Sequence, residues 1–209
     1  MNFLAHLFLA GPPGAPAYAD RLVGQFVADA VPGRRLEVYA HAPGVQAGIR
    51  QHRAIDTFTD QHPVVRRATA RLRLAGHGKY AGVVSDVFFD HFLARNFADY
   101  SAEPLPDFTR RVYAQLGARQ AEFPTRVQQF FPHLVQHDWL GHYAEVAGVA
   151  RALAGLSRRA SPGSGLERGG AELVANYAAY EADFQAFFPE LQAFAAAGYP
   201  GAPGAPSGA

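Results

Sequence analysis

No cysteine occurs in the chain. That removes disulfides, thiolate nucleophiles and every cysteine-ligated zinc or iron–sulfur centre, and it fits a cytoplasmic protein. Charge of one sign is also lacking. Nineteen Lys and Arg stand against 18 Asp and Glu, a formal net charge of +1. No basic field therefore points to nucleic acid, and no acidic block to a solvating tail. No apolar run reaches the ~18 residues of a membrane-spanning helix. The apolar opening from Met1 to Ala10 precedes Ala17-Tyr18-Ala19, which mimics a signal-peptidase site. Yet no Lys or Arg leads it, His6 interrupts it, and Gly11-Pro12-Pro13-Gly14 breaks it, so it does not read as a leader. A phosphate-binding Gly-Lys-Ser/Thr loop, a His-Glu-x-x-His pair and a Gly-x-Ser-x-Gly elbow are missing too, which lowers the NTPase, zinc-protease and serine-hydrolase readings.

What is present is helical. Apolar residues make up 49% of the 209, enough for one sizeable core. Punctuation falls at Gly11 to Pro16, Pro32-Gly33, Gly76 to Gly78, Ser161 to Gly165, and from Gly198 onward. Asp20 is placed to cap a helix carrying Leu22, Val23, Phe26 and Val27. Pro43 suits the start of a helix that runs through Ile49 and Ile55. A basic amphipathic stretch follows at Val64 to Leu74. Tyr80 to Phe97 is apolar on nearly every side, the mark of a central helix. Phe108 to Phe123, His137 to Leu156 and Gly170 to Ala197 complete the set. Period-two alternation between hairpin turns is missing, so strands are not expected. The expectation is a single all-α domain over 1–197, built of about seven to nine helices, with a disordered Gly/Pro/Ala tail at 198–209.

Three polar residues sit where the central helix should be dry: Asp86, Asp90 and His91. Buried carboxylates are costly unless paired, hydrogen-bonded or bound to a cation. His52, Asp56 and Asp60 rise by one turn each along one helix face, and imidazole plus carboxylate at i, i+4 is a good divalent-metal pair. Arg50 and Arg53 flank that stripe and are placed to hold a phosphate. Asp29 and His6 are further candidates. Plainer roles stand beside these: Asp60 as a helix cap, Asp29 as a turn cap, His6 as a satisfied core histidine, and His52–Asp56 as a surface pair. His41, His62, His77, His133, His137 and His142 lie in loops or near Pro and Gly, and read as solvated or capping groups. Arg66, Arg67, Arg71 and Arg73 read as a wet helix face or a docking face for an acidic partner. Arg158-Arg159 suits a helix end or a phosphate.

In order, Met-Asn-Phe-Leu-Ala-His-Leu at the start, Gly24 to Asp29, Gly48 to Asp60, Asp86 to Leu93, Trp139-Leu140 and Ser157-Arg158-Arg159 resemble the bacterial acyl carrier protein phosphodiesterase family. That family is similar to a divergent, all-helical branch of the HD-domain metal phosphohydrolases. Two departures are visible. Gln25 stands where the family often has Asn, and the doublet here is Asp90-His91 rather than His-Asp.

The resemblance implies hydrolysis of holo-acyl carrier protein to the apo-protein and 4′-phosphopantetheine. It implies a divalent cation, Mn²⁺ first, with Mg²⁺ or Fe²⁺ as alternatives. By motif match, His52, Asp56, Asp86, Asp90, His91 and Asp29 inherit metal-binding roles. Asp29, Asp90 and Arg53 are the expected catalytic residues, Arg50, Arg53, Arg158 and Arg159 the expected substrate contacts, and His6 and Asp60 possible additions. The implied partner is the acidic carrier protein, with neither nucleic acid nor membrane, and the Arg66–Arg73 face is its expected dock. Two other readings stay open: an HD-like phosphohydrolase of nucleotides or small phosphodiesters, and a non-enzymatic helical binding protein.

Overall fold

The computed structural model describes residues 1–33, 36 and 42–198. His41 and the tail expected beyond Gly198 lie outside the described residues. Among those described, the chain is helical and holds no strand. In chain order the α-helices are α1 (Phe3–Phe8), α2 (Tyr18–Val27), α3 (Pro43–Gln61), α4 (Pro63–Leu72), α5 (Ala81–Arg95), α6 (Leu105–Gly117), α7 (Thr125–Gln136), α8 (Trp139–His142), α9 (Val146–Ser157), α10 (Gly169–Ala175) and α11 (Tyr177–Ala197).

The expected central helix is α5. Val84, Val87, Phe88, Phe89, Phe92 and Leu93 are all buried, and they lie on every side of it. One of its partners is the aromatic face of α11, where Phe184 and Phe187 meet Phe89 and Phe184 stacks on Phe188. A second aromatic cluster joins Phe26 of α2 to Phe123, Phe130 and Phe131 around α7.

The structure has more and shorter helices than the sequence periodicity suggests. Helix α7 is not anticipated, because Pro124 precedes it and Pro132 lies inside it, and proline ordinarily ends a helix. The stretch expected from His137 to Leu156 divides at Tyr143–Glu145, and that from Gly170 to Ala197 divides at Asn176. Asp20 is not the cap of α2. Ala17, in the left-handed region, holds that position, and Asp20 sits in the first turn, where Arg119 donates to it. His77 is buried rather than solvated. His62 does cap α4, accepting the Val64 N–H at 3.3 Å, but it is buried as well. Two cations of the basic α4 stretch turn inward: Arg67 (2.9 Å through Nε) and Arg71 (2.8 Å) both donate to the buried Asp183 of α11.

The crossing of α2 on α3 positions everything that follows. At Gly24 and Gly48 the two backbones touch. A β-carbon on Gly24 would lie 2.8 Å from the Gly48 Cα and closer still to the Val45 carbonyl oxygen. One on Gly48 would lie 2.9 Å from the Arg21 Cα and the Gly24 Cα, and closer to the Arg21 carbonyl oxygen. These neighbours are backbone atoms, which cannot swing away as a side chain would. Gly24→Ala is expected to cost about 1–3 kcal/mol through overpacking, which for a chain of this size lowers the melting temperature by roughly 3–10 °C. Thermal denaturation checks this, and an unchanged melting temperature contradicts the close crossing.

Candidate functional site

The α2–α3 crossing sets Gln25 against His52. In the last turn of a helix the carbonyls lack partners of their own. The Gln25 carbonyl of α2 is met by the His52 Nδ1–H at 2.8 Å. The same residue reaches further with its side chain, where Oε1 lies 3.2 Å from His6 Nδ1. One glutamine thus ties down the Nδ1 of two imidazoles. The two rings stack, with centroids 3.7 Å apart and 10° between their planes.

With both Nδ1 atoms engaged, both Nε2 atoms face one carboxylate. His6 Nε2 lies 3.1 Å from Asp56 Oδ1, and His52 Nε2 lies 3.2 Å from Asp56 Oδ2. Asp29, largely exposed just beyond α2, closes in on His52 Nε2 at 3.3 Å. One ligand atom each from His6, His52 and Asp56 lies within 4.8 Å of the others. His6 is buried with a partner on each ring nitrogen, as the plain reading of a satisfied core histidine has it, whereas His52 is buried and its pairing with Asp56 is not a surface one. Both histidines are buried and share one focus.

The electrostatics follow from that crowding. Burial works against a charge on His52, but the hydrogen bonds to Asp29 and Asp56 outweigh it and push its pKa up to about 9. Burial and the neighbouring His52 charge act together on His6 and lower it to about 4. Asp56 is held well below the usual carboxylate range by its two imidazole partners, although burial opposes this. The Asp29 carboxyl is lowered chiefly by its bond to His52. Without a cation, a proton on His52 Nε2 takes the place of positive charge between Asp29 and Asp56. Two imidazole nitrogens and carboxylate oxygens, with both Nδ1 atoms anchored from behind, are a donor set that fits a divalent cation.

The acidic residues of α5 divide between two tasks. Asp86 accepts from the Met1 amine at 3.0 Å, and that amine lies 3.8 Å from Asp56. Burial raises the Asp86 carboxyl above its ordinary range. Asp90, one turn on, is fully buried. Its two oxygens accept the Leu4 N–H (2.7 Å) and the Ala5 N–H (3.2 Å), so it fastens the N-terminal end of α1, the helix that carries His6. Burial, against those two bonds, raises Asp90 to about 7. His91 points another way. Its Nδ1 bonds the Tyr143 carbonyl at 2.7 Å and its Nε2 the Tyr177 hydroxyl at 2.9 Å. Arg53 donates to the Val31 and Gly33 carbonyls, 2.8 and 2.9 Å away, and so secures the segment after Asp29. Arg50 bonds Gln46 on the surface. Asp60 is exposed, and its carbonyl accepts from Arg66.

Beside the cluster opens a cavity of about 1290 Å³, whose walls include Asp29, Asp86, Arg158 and Arg159. Phe3, Phe130, Trp139 and Leu156 make much of its surface apolar. Gln25 lies inside the Gly24–Asp29 motif, which assigns it no role, and the cavity residues of α7 carry no motif. The available signal was spacing, since Gln25 lies four residues before Asp29 and Arg126 four before Phe130.

In the chelator-stripped protein, histidine NMR is expected to show His52 charged up to about pH 9 and His6 losing its charge near pH 4. The His52 charge contributes stability that is complete below its ordinary value of 6.5 and fades as pH rises through about 9. Ordinary titration of both rings near pH 6.5 contradicts the arrangement. If the site takes a divalent cation, Gln25→Leu, which removes the acceptor for His6 Nδ1, is expected to weaken its binding about 10–100-fold in calorimetry with Mn²⁺ as the probe.

The sequence profile described as acyl carrier protein phosphodiesterase matches residues 1–191. Among curated relatives, an acyl carrier protein phosphodiesterase of Serratia proteamaculans (strain 568) is 33% identical over 192 residues, covering 91% of this chain and 95% of the relative. One of Enterobacter sp. (strain 638) is 35% identical over 193 residues, with the same coverage of each chain. One of Escherichia coli O157:H7 is 34% identical, covering 92% of this chain and 96% of the relative. No solved structure matches the chain. The profile match spans nearly all of the described helices, and the relatives agree with it: the chain belongs to the acyl carrier protein phosphodiesterase family, a family of enzymes.

Proposed function

We propose that the protein hydrolyses the phosphodiester of a holo-acyl carrier protein, releasing 4′-phosphopantetheine and leaving the carrier's serine hydroxyl free. The reaction depends on a divalent cation, Mn²⁺ before Mg²⁺ or Fe²⁺, and takes place in the cytoplasm. The relation to HD-domain phosphohydrolases belongs to the same reading. One observation carries it: His6 Nε2, His52 Nε2 and Asp56 converge on a single point beside a large cavity.

His6, His52 and Asp56 would hold the cation, with Asp29 and Asp86 facing the same space. When bound, a divalent ion lowers the pKa of a water and offsets charge on the phosphoryl oxygens. The chain's own groups do the rest. Asp29, exposed and ionised at neutral pH, accepts a hydrogen bond from the attacking water and orients it towards phosphorus. Arg158 and Arg159 take the charge of the non-bridging oxygens, where guanidinium gives charge-assisted hydrogen bonds. Gln25 fixes the rings, and Asp90 and Arg53 fix the segments on which His6 and Asp29 stand. His91 takes part only through the Tyr143 backbone that it holds. Asp60 and Arg50 lie on the surface and are assigned no step.

The test is to incubate purified protein with holo-acyl carrier protein and Mn²⁺ and to follow released 4′-phosphopantetheine by chromatography. Asp56→Asn is expected to lower kcat at least about 100-fold while circular dichroism stays unchanged. A protein that cleaves small phosphodiesters but not the holo-carrier contradicts the assigned substrate. An Asp56→Asn variant with full activity contradicts the assigned site.

A further inference from the structure

Most arginines of the described residues are engaged with the protein itself. Arg21, Arg53, Arg66 and Arg168 donate to backbone carbonyls. Arg110, Arg111 and Arg119 pair with carboxylates, as do Arg67 and Arg71 with Asp183. Arg50 and Arg73 donate to side-chain oxygens. Among the described residues, Arg95, Arg126, Arg151, Arg158 and Arg159 are the arginines whose guanidinium groups make no hydrogen bond or ion pair to another residue. All of these except Arg95 line the one cavity that opens beside the His6–His52–Asp56 cluster, and all are exposed.

In a chain of near-zero net charge, spare cations would scatter if they served only solubility. Here they gather on α7, α9 and the residues just after α9, around a surface that also exposes Phe130 and Trp139. Guanidinium groups beside aromatic rings match a partner that offers carboxylates around an apolar patch. The α4 stretch is less suited to such a partner, because Arg67 and Arg71 are already engaged with the buried Asp183.

We infer that Arg126 and Arg151, beside the Arg158–Arg159 pair assigned to the phosphoryl oxygens, form the docking rim for an acidic carrier protein. The inference rests on the proposed function and assigns its partner a surface. A phosphodiester lies next to the serine that anchors it, so the carrier surface must come close to the catalytic cluster. A rim on the cavity that already contains Asp29 and Asp86 satisfies that requirement. The carrier's carboxylates meet the rim, and the released arm lies along the apolar wall formed by Phe3, Phe130 and Leu156.

The experiment is direct binding of fluorescently labelled apo-carrier protein, the product, by anisotropy at two salt concentrations, alongside KM and kcat on holo-carrier protein. Arg126→Glu/Arg151→Glu is expected to weaken apo-carrier binding about tenfold or more, to raise KM in parallel, and to flatten the salt dependence. Arg66→Glu/Arg73→Glu on α4 is expected to leave binding unchanged. Unaltered binding by the rim variant, or equal weakening by the α4 variant, overturns the inference. If the wild-type protein cleaves holo-carrier but ignores the rim charges, only the docking surface falls. If it binds apo-carrier through the rim but cleaves nothing, only the proposed reaction falls. If it neither binds nor cleaves, both fall.

Discussion

Two glycines touching across a helix crossing set the geometry of this protein. Gly24 and Gly48 let α2 and α3 approach until backbone meets backbone. Without that approach the carbonyl of Gln25 would not reach His52, and the end of α2 would not deliver Asp29 to the same point. A helix pair spaced by ordinary side chains sits about 8–10 Å apart. Here small residues trade packing volume for the short reach that a polar cluster requires.

The rest of the structure supplies the counterweights. His6 comes from a helix of six residues, too short to be stable alone. It is held because Asp90 gives both oxygens to the first N–H groups of that helix, a buried carboxylate satisfied at a helix N-terminus. Tyr143 adds a second tie through Asn2, and His91 holds the Tyr143 carbonyl in turn. Charged groups that would be costly in a dry helix therefore act as fasteners. The remaining charge imbalance is concentrated where Asp29, His52 and Asp56 meet. There a proton on His52 meets both carboxylates, which is why its pKa is raised, and under the proposed function a divalent cation would take that proton's place.

Much of this was legible in the residues. Four-residue spacing put His52 and Asp56 on one face, and the all-round apolar pattern of Tyr80 to Phe97 marked the central helix. Adjacent residues on a helix diverge by about 100°, which is why Asp90 and His91 do not serve one point although they are neighbours in sequence. Asp86 and Asp90 do share a face, yet only Asp86 reaches the cavity, because Asp90 is occupied by the backbone of α1. That contact joins residues 86 positions apart, and no local pattern encodes it. The weight of His6 and Gln25 was hidden for the same reason. On the basic face of α4, Arg67 and Arg71 share a buried acid on α11, more than a hundred residues away, a pairing that no local pattern encodes. Helix α7 was obscured by its own prolines.

Under the proposed function, His6 and His52 present their Nε2 atoms, with Asp56, to one divalent cation. Anomalous diffraction at the manganese edge from Mn²⁺-soaked crystals tests it most directly. The expected result is a peak ligated by His6 Nε2, His52 Nε2 and an Asp56 oxygen, with the Nδ1 contacts to Gln25 preserved. A peak bound instead by Asp90 and His91, or no peak at saturating Mn²⁺, would contradict it.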